Sequence, residues 1–212
     1  MIETKNDFEI IYKEKLDKFN QSDNYRLDID ELLLELSKFN FKSILDIGCG
    51  TGYLVKMLKN NYPNYIINGI DKFSFGKMDH DILDISDQNF KYNKKFDIII
   101  MMHSINHISN VKIACNNINN LLNYGGKIII INPDRDFINI INILHDSELK
   151  EKTFGDTTVV KYLGVKEILD VFNLLNINLI SKKFFGSPMI IKHRDEDYKI
   201  YPRILMIFEK IN

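Results

Sequence analysis

The chain has 212 residues, 45% of them hydrophobic and 27% charged, the balance of one folded domain with a full core, which excludes a long disordered or fibrous chain. Its 28 Lys and Arg nearly cancel its 29 Asp and Glu, so no global field draws it to nucleic acid or to an anionic membrane. The two cysteines, Cys49 and Cys115, stand in neither a CxxC nor a paired metal spacing and fit a reducing compartment.

The opening residues, MIETKNDFEI, show no charged start followed by a long apolar run, so no signal peptide is read there. The apolar stretches Ile98 to Met102 and Ile128 to Ile131 are far shorter than the roughly 20 residues of a membrane helix. A cytoplasmic protein with no membrane partner is expected. Phe8, Ile11, Tyr12, Leu16 and Phe19, over residues 3 to 19, fall at helical spacing, and so do Ile29, Leu32, Leu33, Leu36 and Phe39 over residues 29 to 39. Two amphipathic helices are predicted within residues 1–40, separated by a polar loop at Asn20 to Asn24, with the first helix placed to move as a lid.

From residue 43 short apolar runs alternate with helical stretches, the pattern of parallel strands joined by crossover helices. Strands are predicted at Ser43 to Ile47, Tyr65 to Ile70 and Phe96 to Met102, and helices at Gly52 to Asn60 and Val111 to Leu122. The turn Tyr124-Gly125-Gly126 then leads into a strand at Lys127 to Asn132, which Pro133 ends. Residues 133–163 show no clear period and are read as an insertion that caps the substrate over the sheet edge. A helix carrying Val165, Ile168, Leu169, Phe172 and Leu175, a strand at Asn178 to Phe185, a polar loop and a strand at Arg203 to Glu209 close the chain. Two strands with no helix between them imply an antiparallel pair. The expected architecture is a single α/β domain over 1–212, a doubly wound and mostly parallel sheet with an antiparallel last strand.

The segment SILDIGCGTG, residues 43 to 52, sets a strand directly before Gly48, Gly50 and Gly52. Glycine tolerates positive φ and leaves room for a ligand, while the helix behind it starts with unpaired N–H groups. A dinucleotide fingerprint would place its third glycine at position 53, which is Tyr53. A P-loop would continue Gly-Lys-Ser/Thr, and the chain reads Gly52-Tyr53-Leu54.

The pattern of Asp46, Gly48, Gly50 and Gly52 instead resembles the first motif of the class I S-adenosylmethionine-dependent methyltransferases of small-molecule type, and the likeness runs over residues 30 to 132. The resemblance implies a Rossmann-like seven-stranded methyltransferase fold, S-adenosylmethionine as cofactor and S-adenosylhomocysteine as product. It implies that Asp46 anchors the loop and meets the methionine ammonium, beside Gly48, Cys49 and Gly50. Asp71, closing INGID and followed by Lys72, matches the acid that takes both ribose hydroxyls, for which a carboxylate supplies two acceptor oxygens. Asp81 with Ile82 resembles the acid and apolar residue at the adenine, with Asp79 and Asp84 as substitutes. FDIIIMMHSINHI resembles the fourth strand and active-site turn, which puts Met101, Met102 and His103 at the methionine pocket, and LLNYGGKIIIINP resembles the fifth strand segment. One departure stands out: nine residues between Asp71 and Asp81 leave no room for the usual helix. A loop is expected there, with Phe73 or Phe75 covering the adenine.

Methyl transfer is an in-line displacement on a carbon activated by sulfonium, so alignment matters most. Positioning can supply about 7 to 11 kcal/mol, and a general base roughly 10² to 10⁴ in rate. His107, at the start of the segment after strand four, is the first choice of base and His103 the second. A metal between these two is set aside, since no Glu follows the first His as in HExxH. His80, His145 and His193 are read as solvated, and Tyr12 and Tyr25 as lid candidates. Enzymes of this family that methylate bases or glutamine amides carry Asn or Asp, two prolines and an aromatic after strand four. Met101-Met102-His103-Ser104 stands there instead, which points to an O or N atom of a small molecule. Two alternatives stay open: an RNA or protein acceptor, for which Lys182, Lys183, Lys192, His193 and Arg194 offer a basic cluster, and a noncatalytic binding subunit. The assembly expected is a monomer or homodimer.

Overall fold

A computed structural model describes residues 13, 17–18, 20–75, 80–135, 137–139, 160–161, 163–193 and 196–211. The predicted helix over residues 3 to 19, Tyr12, Asp79, His145 and most of the 133–163 insertion therefore lie outside the described residues.

Seven strands form one sheet: β1 (Ser43–Ile47), β2 (Ile66–Asp71), β3 (Asp81–Ile82), β4 (Phe96–Met102), β5 (Leu122–Pro133), β6 (Ile177–Phe185) and β9 (Arg203–Lys210). Their spatial order is β3-β2-β1-β4-β5-β9-β6. The pairs β3–β2, β2–β1, β1–β4 and β4–β5 are parallel, while β9 runs antiparallel to both β5 and β6. The central strands are apolar on both faces because helices cover both. On one side α1 (Asp23–Leu36) and α2 (Tyr53–Asn61) bury Leu32, Leu36, Leu54 and Leu58 against Ile98, Ile100, Ile129 and Ile131. On the other, α3 (Val111–Leu121) and α4 (Val165–Asn173) bury Cys115, Ile118, Ile168 and Phe172 against Ile99, Met101, Ile128 and Ile130. The doubly wound reading, with its antiparallel last strand, holds. The chain order reverses between β1 and β4, and in such sheets the crevice beyond the carboxyl ends at that reversal takes ligands.

Three local readings are corrected. The polar stretch Asn20 to Asn24 is not all loop: the Ser22 hydroxyl accepts the Tyr25 N–H at 3.2 Å and starts α1 at Asp23, whose charge suits a helix N-terminus. The loop expected between the last two sheet strands contains a separate antiparallel hairpin, β7 (Met189–His193) with β8 (Glu196–Ile200), whose partners pair across the sequence Arg194-Asp195. Strand β5 begins at Leu122, which pairs with Phe96 before the register shifts, so the Tyr124-Gly125-Gly126 turn is taken up inside the strand. Of the segment between Asp71 and Asp81, where a loop is expected, residues 72–75 and 80 are described and none of them is helical.

Candidate active site

Three left-handed glycines shape the loop from β1 to α2: Gly48 at φ 74°, Gly50 at 54° and Gly52 at 73°. The Gly48 and Cys49 N–H groups both donate to the Ile70 carbonyl, at 2.8 and 3.2 Å, which ties the loop to the end of β2. A Cβ on Gly48 would overlap Ser104 Cβ, so the loop and the turn after β4 touch through a position that admits no side chain. Asp71 sits across the loop. One carboxylate oxygen accepts the Gly50 N–H and the other the Phe73 N–H, each at 2.9 Å. Burial raises its pKa, and the Phe73 and Gly50 N–H groups with the charges of His80 and Lys72 offset only part of that. Asp46 is buried under the same loop, and among the described residues no donor reaches its carboxylate. Desolvation, with the Asp71 charge added, pushes its pKa up to about 7.

On the other side of the crevice β4 ends at Met102, and the chain turns through His103, which has φ 58°. His103 Nε2 lies 2.7 Å from Asp28 Oδ2. Asp28 is 0% exposed, and Arg203 Nε stands 3.4 Å from each of its oxygens. Tyr25, one turn earlier on α1, is buried with its ring centroid 5.9 Å from that of Tyr53 and 6.4 Å from that of His103. Burial and the nearby charges of Asp46 and Asp28 push its hydroxyl pKa up. Residues Ile105–His107 form a 3₁₀ turn in which the His107 N–H donates to the Ser104 carbonyl at 3.0 Å. Buried Asn106 holds that turn in place, its side-chain oxygen accepting the Leu163 N–H and its carbonyl the Val160 and Lys161 N–H groups.

A family model described as a methyltransferase domain matches residues 20–182. The chain belongs to the class I S-adenosylmethionine-dependent methyltransferases. Among curated relatives, it is similar to N-methyltransferase 4 of Papaver somniferum, 29% identical over 110 residues that are 45% of this chain and 30% of that enzyme. It is also similar to a malonyl-[acyl-carrier protein] O-methyltransferase of Acetivibrio thermocellus, 33% identical over 79 residues, 32% of this chain and 27% of that one. The matched stretch thus spans less than half the length of these relatives. Among solved structures, the plantazolicin methyltransferase BpumL with a pentazolic desmethylPZN analog and SAH superposes with a TM-score of 0.66 at 17% identity, over 95% of this chain and 90% of that one. An S-adenosylmethionine-dependent methyltransferase of Clostridium acetobutylicum superposes at 0.61 and 18% identity, over 98% of this chain and 99% of that one. These likenesses carry the fold.

The chain brings Asp46, Gly48, Cys49, Gly50 and Asp71 together around one loop, and their chemistry fits the family's cofactor. Each Asp71 oxygen spends one acceptor site on backbone and keeps another, which is what a ribose diol requires. Asp46 is a buried carboxyl that receives no donor among the described residues. Lys72 Nζ lies 5.0 Å from the Phe73 ring centroid, and Phe75 is buried beside Phe73 with centroids 6.0 Å apart. Asp81 and Ile82 form the exposed outermost strand, where the Tyr92 hydroxyl donates to Asp81 at 2.7 Å. Asp84 instead accepts from the Ser86 N–H and hydroxyl, as a turn residue does. Met101 and Met102 lie on opposite faces of β4, Met101 fully buried toward α3 and Met102 toward α1, so their side chains do not share one pocket as the sequence reading has it. His80 is not simply solvated either, its Nε2 lying 3.3 Å from the Phe73 carbonyl. Sequence reading missed Asp28, Arg203 and Asn106. For Asp28 there was a signal: it occupies an inward position of α1, one turn before Leu32, where a charge breaks the apolar stripe.

Proposed function

We propose that the chain transfers the methyl group of S-adenosylmethionine to an O or N atom of a small molecule. The observation that carries this reading is the pair of carboxylates, buried Asp46 and half-buried Asp71, at a loop of three left-handed glycines. In this reading Asp71 holds the ribose diol, Asp46 the ammonium, the Asp81–Ile82 strand the adenine edge, and the sulfonium methyl faces the turn 103–107. His103 and His107 border the acceptor. The sequence favours His107 as base, and the geometry favours His103, for which a carboxylate partner is already in place.

An acceptor of this kind would be enclosed by the amino-terminal helices of residues 1–40 and the 133–163 cap. The relatives' names include both an N- and an O-methyltransferase, which supports a nucleophilic heteroatom without choosing between them. The basic cluster is a weaker lead toward RNA, since Lys183 is paired with Glu31 at 2.6 Å and Lys182 lies over Phe184.

Calorimetric titration with S-adenosylmethionine tests the reading. The wild-type chain should bind, and Asp71→Ala should weaken binding about 100-fold or more, the worth of two hydrogen bonds to a charged acceptor. Absence of heat with the wild type, or unchanged affinity in the variant, refutes it.

A further inference from the structure

Asp28 is a fully buried carboxylate on a helix whose neighbouring inward residues, Leu32 and Leu36, are apolar. A leucine there would satisfy the amphipathic pattern without the desolvation that an ionic group incurs. What faces the carboxylate is His103 Nε2 at 2.7 Å and Arg203 Nε at 3.4 Å from both oxygens, brought in from β4 and β9. His103 also holds a left-handed backbone at φ 58°, a conformation L-residues avoid and which is retained where function requires it. Strain and charge burial thus converge on one imidazole. It stands directly before Ser104, the residue that contacts the glycine loop.

Resting on the methyltransferase reading above, we propose that His103 accepts the proton of the methyl acceptor and that Asp28, steadied by Arg203, is the positioning residue that fixes the imidazole for it. With Nε2–H donated to Asp28, Nδ1 carries the basic lone pair. The acceptor class follows: a hydroxyl or protonated amine that must lose a proton, rather than a carboxylate already anionic. Its lone pair forms the new bond to the methyl carbon while the carbon–sulfur bond breaks and leaves its pair on sulfur. The acceptor proton moves to Nδ1, and the imidazolium rests against Asp28 until solvent removes the proton. Asp28 acts on the acceptor only through His103 and is not itself a catalytic residue.

Two measurements test this. The first is the histidine 15N spectrum of the labelled chain with S-adenosylhomocysteine, with His103 assigned by loss of its signals in His103→Asn, a residue that tolerates the left-handed backbone. The wild type should show the Nε2–H tautomer. In Asp28→Asn the amide nitrogen can donate to Nε2, and the Nδ1–H tautomer should appear. The second is turnover with labelled S-adenosylmethionine and a pooled small-molecule extract. Asp28→Asn should lower kcat on the order of 10²-fold with little change in the KM for S-adenosylmethionine. In a His103→Asn background it should add nothing, because Asp28 acts through that ring.

An Nδ1–H tautomer in the wild type, full turnover in His103→Asn, or losses that simply multiply in the double variant overturn the proposal. The spectrum needs no acceptor, so it decides the tautomer even before one is found. A chain that takes up no S-adenosylmethionine refutes the broader reading instead. A chain that binds it while both variants keep full turnover refutes only this one.

Discussion

The two ends of the same sheet treat a carboxylate in opposite ways. At the amino edge Asp97, in β4, accepts the Lys42 N–H, the Ser43 N–H and hydroxyl, and the Asn123 amide, at 2.8 to 3.1 Å. Burial alone would raise its pKa, but those donors outweigh it and hold the carboxyl below its ordinary value. At the carboxyl edge Asp46, on the adjacent strand β1, is more deeply buried, receives no donor among the described residues, and has its pKa pushed up to about 7. One carboxyl is satisfied by its own donors, and the other is not, which the ammonium contact proposed above would change. Local instability at a site is retained when the ligand itself supplies the missing partner.

The largest effect expected from that contrast is at Asp46. A carboxyl that titrates near 7 rather than at its ordinary 3.8 opposes folding once ionised, by roughly 4 kcal/mol at most, at about 1.4 kcal/mol per pH unit. Its favourable contribution is full below the unfolded pKa and lost as pH rises through the folded one. Urea unfolding without cofactor should therefore show stability falling from about pH 4 to pH 7 in the wild type, and this component absent in Asp46→Asn. The same variant should be the more stable protein at pH 8 and the poorer binder of S-adenosylmethionine. An unchanged pH slope would break the comparison.

Next comes Gly48→Ala, which probes the contact between the two halves of the carboxyl edge. A left-handed alanine costs about 1 to 2 kcal/mol, and the overlap with Ser104 Cβ adds to it. Both stability and cofactor affinity should fall. The smallest effect belongs to the amino edge: Asp97→Asn should lose about 1 to 2 kcal/mol of stability, with calorimetric affinity for the cofactor unchanged. A loss of affinity there would show that the two edges are not independent.

The contrast also separates what could be read along the chain from what could not. Asp46, Gly48, Gly50 and Asp71 belong to short segments in which a strand, its turn and the next helix are contiguous, so their spacing announces the loop. The acid at the end of β2 is set beside that loop by the parallel pairing of Asp46 with Gly69 and Ile47 with Ile70. The hairpin β7–β8 is hard to recognise along the chain because its segments, MIIKH and EDYKI, are five residues each and neither sustains the apolar alternation of a half-buried strand. The division of Met101 from Met102 follows from strand pleat alone and was legible once β4 was assigned.

By itself the sequence determined the doubly wound architecture, the glycine loop and its two acids, because each rests on periodicity or on residues within one turn of a strand end. Only the tertiary structure decided which histidine has a carboxylate behind it. Asp28, His103 and Arg203 lie on α1, after β4 and on β9, separated by 75 residues and then by 100 more. Their meeting depends on α1 packing across the sheet face and on β9 inserting antiparallel between β5 and β6. No local pattern encodes such a meeting; the hydrophobic burial that assembles the layers does.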